Sequence, residues 1–397
     1  MLGVKYDTIK KNDDDLMFDT NSAKIIIAKL FDKSGMNCRV SLLAANKNVI
    51  FAIVYRDTTP IIVKLDKDLA IIDHNELPWQ PFDVTGLLAT KDGNVICTGM
   101  TSTNDIKSFR IMKISTGLAV INVRQYDLCY TDEPPLLFED GDNIICAGIK
   151  TNFIDDHITT NLIHFKQDLT IQLCTQYDTS ESIILTSMVK NDTWGLVGVG
   201  YMNIDVDNKY ESAMFISFNT DGLIYPYKTS NFDIWLDSSD EYTHINDAFL
   251  VEDGTLICAG YTTVDKQRCA TLWKFENVYD AEPKRYVTTI GESSICDISE
   301  NSAYNTVFSK INQNTRGTFT CIGTMCDYDD DCKTMFISEL DSDFRYDKHL
   351  NTEKFCNNEA ICGTLLSNNT MLTFGTRDST TNEDGYHGII RSIDICS

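Results

Sequence analysis

One short apolar run returns seven times along the chain. VIFAI ends at Ile53, VICTG at Gly99, IICAG at Gly148, LVGVG at Gly200, LICAG at Gly260, FTCIG at Gly323 and MLTFG at Gly375. The steps between these ends run from 99 − 53 = 46 to 323 − 260 = 63 residues. That period is the length of one four-stranded antiparallel unit and is too long for a single ankyrin or leucine-rich repeat. Each run is short, β-branched and apolar at both alternating sets of positions. A strand covered on both faces reads this way.

A second motif follows each run: IVKL (62–65), IMKI (111–114), LIHF (162–165), FISF (215–218), LWKF (272–275), FISEL (336–340) and IRSI (390–393). These are the hairpin partners of the glycine strands. The motif occurs an eighth time, as IAKL at 27–30, and spacing decides what that copy is for. From a partner strand to the next glycine is 99 − 65 = 34 residues, room for two strands; from Leu30 to Ile53 is 23, room for one. The last partner motif ends at Ile393, four residues before Ser397, so the seventh unit lacks a fourth strand that residues 22–34 can supply. Closing a ring with strands from both termini leaves no unfinished sheet edge. The expected fold is therefore all-β: a single closed seven-bladed β-propeller of four-stranded blades, its ring closed by an N-terminal outer strand. The expected layout is an arm over 1–21 and a propeller over 22–397. Its blades lie at about 36–80, 81–131, 132–181, 182–241, 242–297, 298–354 and 355–397.

The pattern resembles a divergent seven-bladed β-propeller, on the apolar-to-glycine strands and the FISFNTDG-type strands that follow them. It does not match the Gly-His and Trp-Asp pairs of WD40 blades, the Gly-Gly pairs of kelch blades, or the Asp-box of sialidases, of which NDTWG at 191–195 carries only fragments. The resemblance implies the fold and brings no functional residues with it.

The formal charge is 34 − 58 = −24. A field of that sign repels phosphate backbones and anionic membranes. No nucleic acid and no membrane insertion are expected, and a partner should present a basic surface. No run approaches the ~20 apolar residues of a membrane span. The first residues lack the apolar core of a secretory signal, which suits a cytoplasmic or virion protein with reduced thiols. Cys97, Cys146, Cys258 and Cys321 sit in apolar runs, where cysteine acts as a small hydrophobe.

Turns entering the glycine strands are short (KDG at 91–93, EDG at 252–254), whereas the segments leaving them are long and polar. Repeated topology puts those segments on one face. The interaction-face candidates are Asp155, Asp156, Asp205, Asp207, Glu211, Asp329, Asp330 and Asp384. The cluster CDYDDDC offers Asp327, Asp329, Asp330 and Asp331 as oxygen ligands for calcium, but without the glycine and terminal glutamate of an EF-hand loop. No other cofactor is expected. The six histidines are scattered, without HExxH or zinc spacing, and His164 reads as core. No nucleophile elbow or phosphate loop occurs. The expectation is thus a non-enzymatic interaction or scaffold module. The alternatives are a structural subunit of a large assembly such as a virion or phage tail, and a hydrolase or lyase with a loop-face carboxylate site.

Overall fold

A computed structural model shows an all-β chain. It describes residues 38–394, apart from segments at 47–48, 78–81, 104–105, 127–134, 153–157, 178–181, 192–194, 206–209, 219–242, 265–266, 276–283, 288–303, 314–316, 328–332, 356–361, 367–369 and 379–385 and the single positions 343 and 345. The arm and the expected closure strand lie outside the described residues.

The described strands form seven antiparallel sheets, each a meander in sequence order. Sheet I holds β1 (Cys38–Asn46), β2 (Val49–Arg56), β3 (Thr59–Leu65) and β4 (Ile71–Glu76). Sheet II holds β5 (Phe82–Ala89), β6 (Val95–Thr103), β7 (Ile106–Ile114) and β8 (Val120–Tyr126). Sheet III holds β9 (Leu136–Asp140), β10 (Asn143–Asn152), β11 (Ile158–Phe165) and β12 (Ile171–Tyr177). Sheet IV holds β13 (Ser182–Asn191), β14 (Gly195–Asp205) and β15 (Tyr210–Phe218). Sheet V holds β16 (Thr243–Leu250), β17 (Leu256–Val264), β18 (Gln267–Phe275) and β19 (Lys284–Val287). Sheet VI holds β20 (Tyr304–Gln313), β21 (Phe319–Asp327), β22 (Lys333–Leu340) and β23 (Tyr346–Phe355). Sheet VII holds β24 (Cys362–Leu366), β25 (Thr370–Asp378) and β26 (Tyr386–Asp394).

The glycine-ended runs are the second strand of each sheet, and the 34-residue gap between Leu65 and Gly99 holds β4 and β5, as the spacing requires. In sheet VII, β26 pairs only with β25 among the described residues.

The chain divides into two compact units. One comprises Leu185–Ile361 with Met1–Ser22 and carries sheets V and VI and nearly all of IV. The other comprises Ala23–Ile184 and Cys362–Ser397 and carries sheets I, II, III and VII. Inside each unit the core lies between neighbouring sheets. Phe51, Ile53 and Tyr55 of β2 share a cluster with Val95, Cys97 and Met112 of sheet II. Ile257, Ala259 and Leu272 of sheet V meet Phe308, Phe319 and Phe336 of sheet VI. Burying each such large side chain is worth about 1.5–3 kcal/mol. Exposure rises outward: β2 is buried through its middle, while every residue of β4 is exposed.

The turns from third to fourth strand repeat one device. Leu69, Leu118, Leu169 and Phe344 have φ of 63°, 59°, 62° and 58°, a left-handed backbone that costs a branched or bulky residue energy. All four side chains are buried in the core clusters. In the second unit the preceding sheet also grips the turn: Asn75 Nδ2 donates to Leu118 O at 3.1 Å, and Tyr126 Oη donates to Leu169 O.

One sequence expectation changes here. Much of the long polar segments is strand: β14 runs on to Asp205, β21 to Asp327, and Glu211 lies in β15 opposite Asn203. Gly148 is not crowded by its neighbours. Its φ is +89° at a bulge between Ala147 and Ile149, and an added Cβ would lie 4.0 Å from Pro135 Cα, so backbone conformation is what selects glycine there.

Candidate functional site

Of the acidic candidates, Asp155, Asp156, Asp207, Asp329, Asp330, Asp331 and Asp384 lie outside the described residues. The backbone places Asp205 at the end of β14, Glu211 in β15 and Asp327 at the end of β21. Asp205 and Glu211 thus share one hairpin, while Asp327 sits in another sheet. No group of three or more His, Cys, Asp or Glu able to hold a metal occurs among the described residues.

The first unit instead assembles a cluster that the sequence reading passed over. Tyr201 and Tyr261 directly follow Gly200 and Gly260, so they occupy the same position in successive repeats. Both lie in the half of the glycine strand that leads to the polar hairpin end. His244, the second residue of β16, pairs across the sheet with Tyr261. Its ring stacks on Tyr261 with centroids 5.1 Å apart and an 18° interplanar angle, and packs tilted against Tyr201 of sheet IV at 3.8 Å and 32°. Tyr261 Oη lies 3.4 Å from His244 Nδ1. Arg268 of β18 sets its guanidinium carbon 4.8 Å from the Tyr261 ring centre, within cation–π range. Tyr201 and Tyr261 are nearly buried, His244 is half-buried and Arg268 is exposed, so the cluster opens to solvent on the arginine side.

Local backbone holds the imidazole in place. Gly260 is opposite Ile245, and a Cβ on it would fall 1.9 Å from the His244 carbonyl oxygen. Only glycine lets the two strands approach this closely. One residue further, β16 bulges between Ile245 and Asp247.

The remaining chemistry-bearing groups are structural. Cys97, Cys146, Cys258 and Cys321 are fully buried, and burial pushes their thiols far above the ordinary range. They are inert as nucleophiles. His164 is buried as expected, and burial holds its pKa below the ordinary value. Asp247 takes a hydrogen bond from Ile311 N at 3.1 Å and one from Lys310 Nζ at 3.3 Å, tying sheet V to sheet VI.

No family model matches the chain, and no curated protein does. Solved structures do. The polysaccharide lyase Uly1 is similar at TM-score 0.52 and 9% identity, covering 90% of this chain and 89% of that one. A puromycin hydrolase is similar at TM-score 0.58 and 12% identity, covering 90% of this chain and 53% of that one. The chain spans about half the length of that hydrolase. The β-propeller domain of the Trilobed protease from Pyrococcus furiosus matches at TM-score 0.49 and 8% identity, over 89% of this chain and 93% of that domain. The resemblance to a divergent β-propeller outside any named family is borne out. The expectation of a non-enzymatic scaffold is corrected. The lyase and hydrolase that share the fold are enzymes, and sheet V holds a histidine–tyrosine pair, His244 and Tyr261.

Proposed function

We propose that the chain is a polysaccharide lyase acting by β-elimination on uronate-containing glycans. The observation that carries this reading is the Tyr261–His244 pair, 3.4 Å apart and opening toward an exposed arginine. Glycoside hydrolysis calls for two carboxylates flanking the scissile bond. The pair here is an imidazole and a phenol, a general base and a general acid.

Arg268 pairs with the substrate carboxylate, which stabilises negative charge that builds on it when the α-proton leaves. His244 takes that proton. The freed electron pair forms a carbon–carbon double bond, the bond from the β-carbon to the bridging oxygen breaks, and Tyr261 gives its proton to that oxygen. The contact between Nδ1 and Oη then returns the proton from His244 to Tyr261, leaving both groups as they began. Tyr201 closes the other face of the imidazole. Similarity to the lyase Uly1 along nearly the full length of both chains supports the reading.

We also propose that the seven sheets close as one seven-bladed ring, with residues 22–34 adding the fourth strand beside β26. The spacing from Leu30 to Ile53, 23 residues with room for one strand, supports this.

The test is the ultraviolet absorbance of the unsaturated product across a panel of polyuronates. Tyr261→Phe should slow it by about 10²–10⁴-fold, the worth of one positioned acid. Because the whole chain carries −24, added salt should raise kcat/KM on a polyanion by screening the repulsion. Absence of unsaturated product from every polyuronate, or full activity in Tyr261→Phe, overturns the assignment.

A further inference from the structure

We infer that Thr186 is a positioning residue for the acid–base pair, an inference that rests on the lyase reading. Thr186 lies on β13, touches none of the reacting groups, and sits between the strands that carry them. Its hydroxyl is 2.7 Å from Ile245 O and 3.2 Å from Val199 O. Ile245 is the neighbour of His244 on β16, and Val199 lies two residues before Tyr201 on β14. One hydroxyl therefore spans the two strands whose side chains meet in the Tyr201–His244 contact. It has a single proton, which goes mainly to the nearer carbonyl of Ile245.

The place of this contact gives it leverage. Ile245 is the last paired residue before the bulge in β16, where the ladder to β17 is interrupted. A backbone segment at a bulge has lost a ladder hydrogen bond and can shift. Gly260 limits that shift from one side, with the His244 carbonyl pressed against it. Thr186 limits it from the other sheet. Between them the His244 main chain is held from two directions, and its ring is kept within hydrogen-bond reach of Tyr261. The next inner strand uses the same device: Asn246 Nδ2 donates to Phe308 O at 2.7 Å. That link ties sheet V to sheet VI and leaves the Tyr201–His244 contact untouched, so Thr186 alone of the two bears on the site.

The experiment compares Thr186→Val, which keeps the shape and removes the hydroxyl, with Thr186→Ser, which restores it. Two readouts are taken on the full chain: turnover of a polyuronate, and the His244 imidazole resonance in histidine-labelled protein, assigned with His244→Gln. Thr186→Val should shift the His244 resonance and lower kcat roughly tenfold, the equivalent of one lost neutral hydrogen bond, with KM within about twofold. Thr186→Ser should return both toward wild type. Should Thr186→Val not fold, Thr186→Ala is read in the same way. An unmoved His244 resonance overturns the positioning role whether or not the protein turns over glycan. A resonance that moves and is rescued by serine, in a protein that makes no unsaturated product, overturns the lyase reading and leaves the positioning intact. A change in kcat that serine fails to rescue also overturns it.

Discussion

The two units use the same strand positions for different ends. At the position directly after the run, sheets I and II of the second unit place Val54 and Met100, both buried, whereas sheets IV and V of the first place Tyr201 and Tyr261. Opposite these, sheet I has Val40 facing Val54, and sheet V has His244 facing Tyr261. Polar residues of the first strands differ in the same sense. Thr186 and Asn246 of the first unit reach carbonyls of the following inner strand. The oxygens of Ser41 and Thr85, at the bulges of β1 and β5, are buried with no hydrogen-bond partner among the described residues. One repeat thus supplies two products: sheets whose second strands are apolar after the repeat, and sheets that carry the acid–base pair.

The largest break in that comparison comes from the glycines. Gly260→Ala drives a methyl into the His244 carbonyl and should cost about 3 kcal/mol, the upper end for overpacking, as a drop in denaturant midpoint. Gly148→Ala meets open space and only the unfavourable φ, so its cost should be about 1–2 kcal/mol. Equal losses for the two would erase the distinction between a close approach and a turn.

A smaller contrast separates the two threonines. Thr186→Val strips a satisfied bond from a part-buried carbonyl and should destabilise by about 1–2 kcal/mol, measured by urea unfolding. Thr85→Val removes a buried hydroxyl without a partner and should be neutral or slightly stabilising. Similar losses at both positions would show that the second unit has knitting of its own on its first strands.

The smallest expected effect concerns pH. Burial lowers the pKa of His164, with the charge of Asp140 opposing in part. The unfolded chain takes up a proton near pH 6.5, while the folded chain declines it until the lower folded value is reached. Stability should therefore fall as pH drops through that window and level off below it. His164→Leu should remove that component from the slope of midpoint against pH. A slope that survives the substitution assigns the effect to other groups.

The repeat and its strand pairs were legible because period and apolar alternation fix them: the runs ending at Gly99, Gly148 and Gly260 are all second strands with buried cores. The site was not legible, for a physical reason. Tyr261, His244, Tyr201 and Arg268 come from four strands of two sheets, and no spacing along the chain encodes cross-strand register and sheet contact. One signal was available, an aromatic residue directly after the glycine in two consecutive repeats, LVGVGY and LICAGY. The acidic runs drew attention instead because charge density is visible in one dimension. Most of those residues lie outside the described strands.

The left-handed leucines have a bearing on how such a chain reaches its fold. A leucine at φ near +60° costs about 1–2 kcal/mol, so the turns at Leu118 and Leu169 are unfavourable in an isolated hairpin. What offsets that cost is burial between sheets and the grip of Asn75 or Tyr126 from the sheet before. Each turn becomes favourable only after its predecessor has taken shape. The second unit is thus wired as a relay with a direction, in which each finished sheet licenses the last hairpin of the next. Shuffling or deleting an internal repeat would then do harm one repeat downstream of the cut.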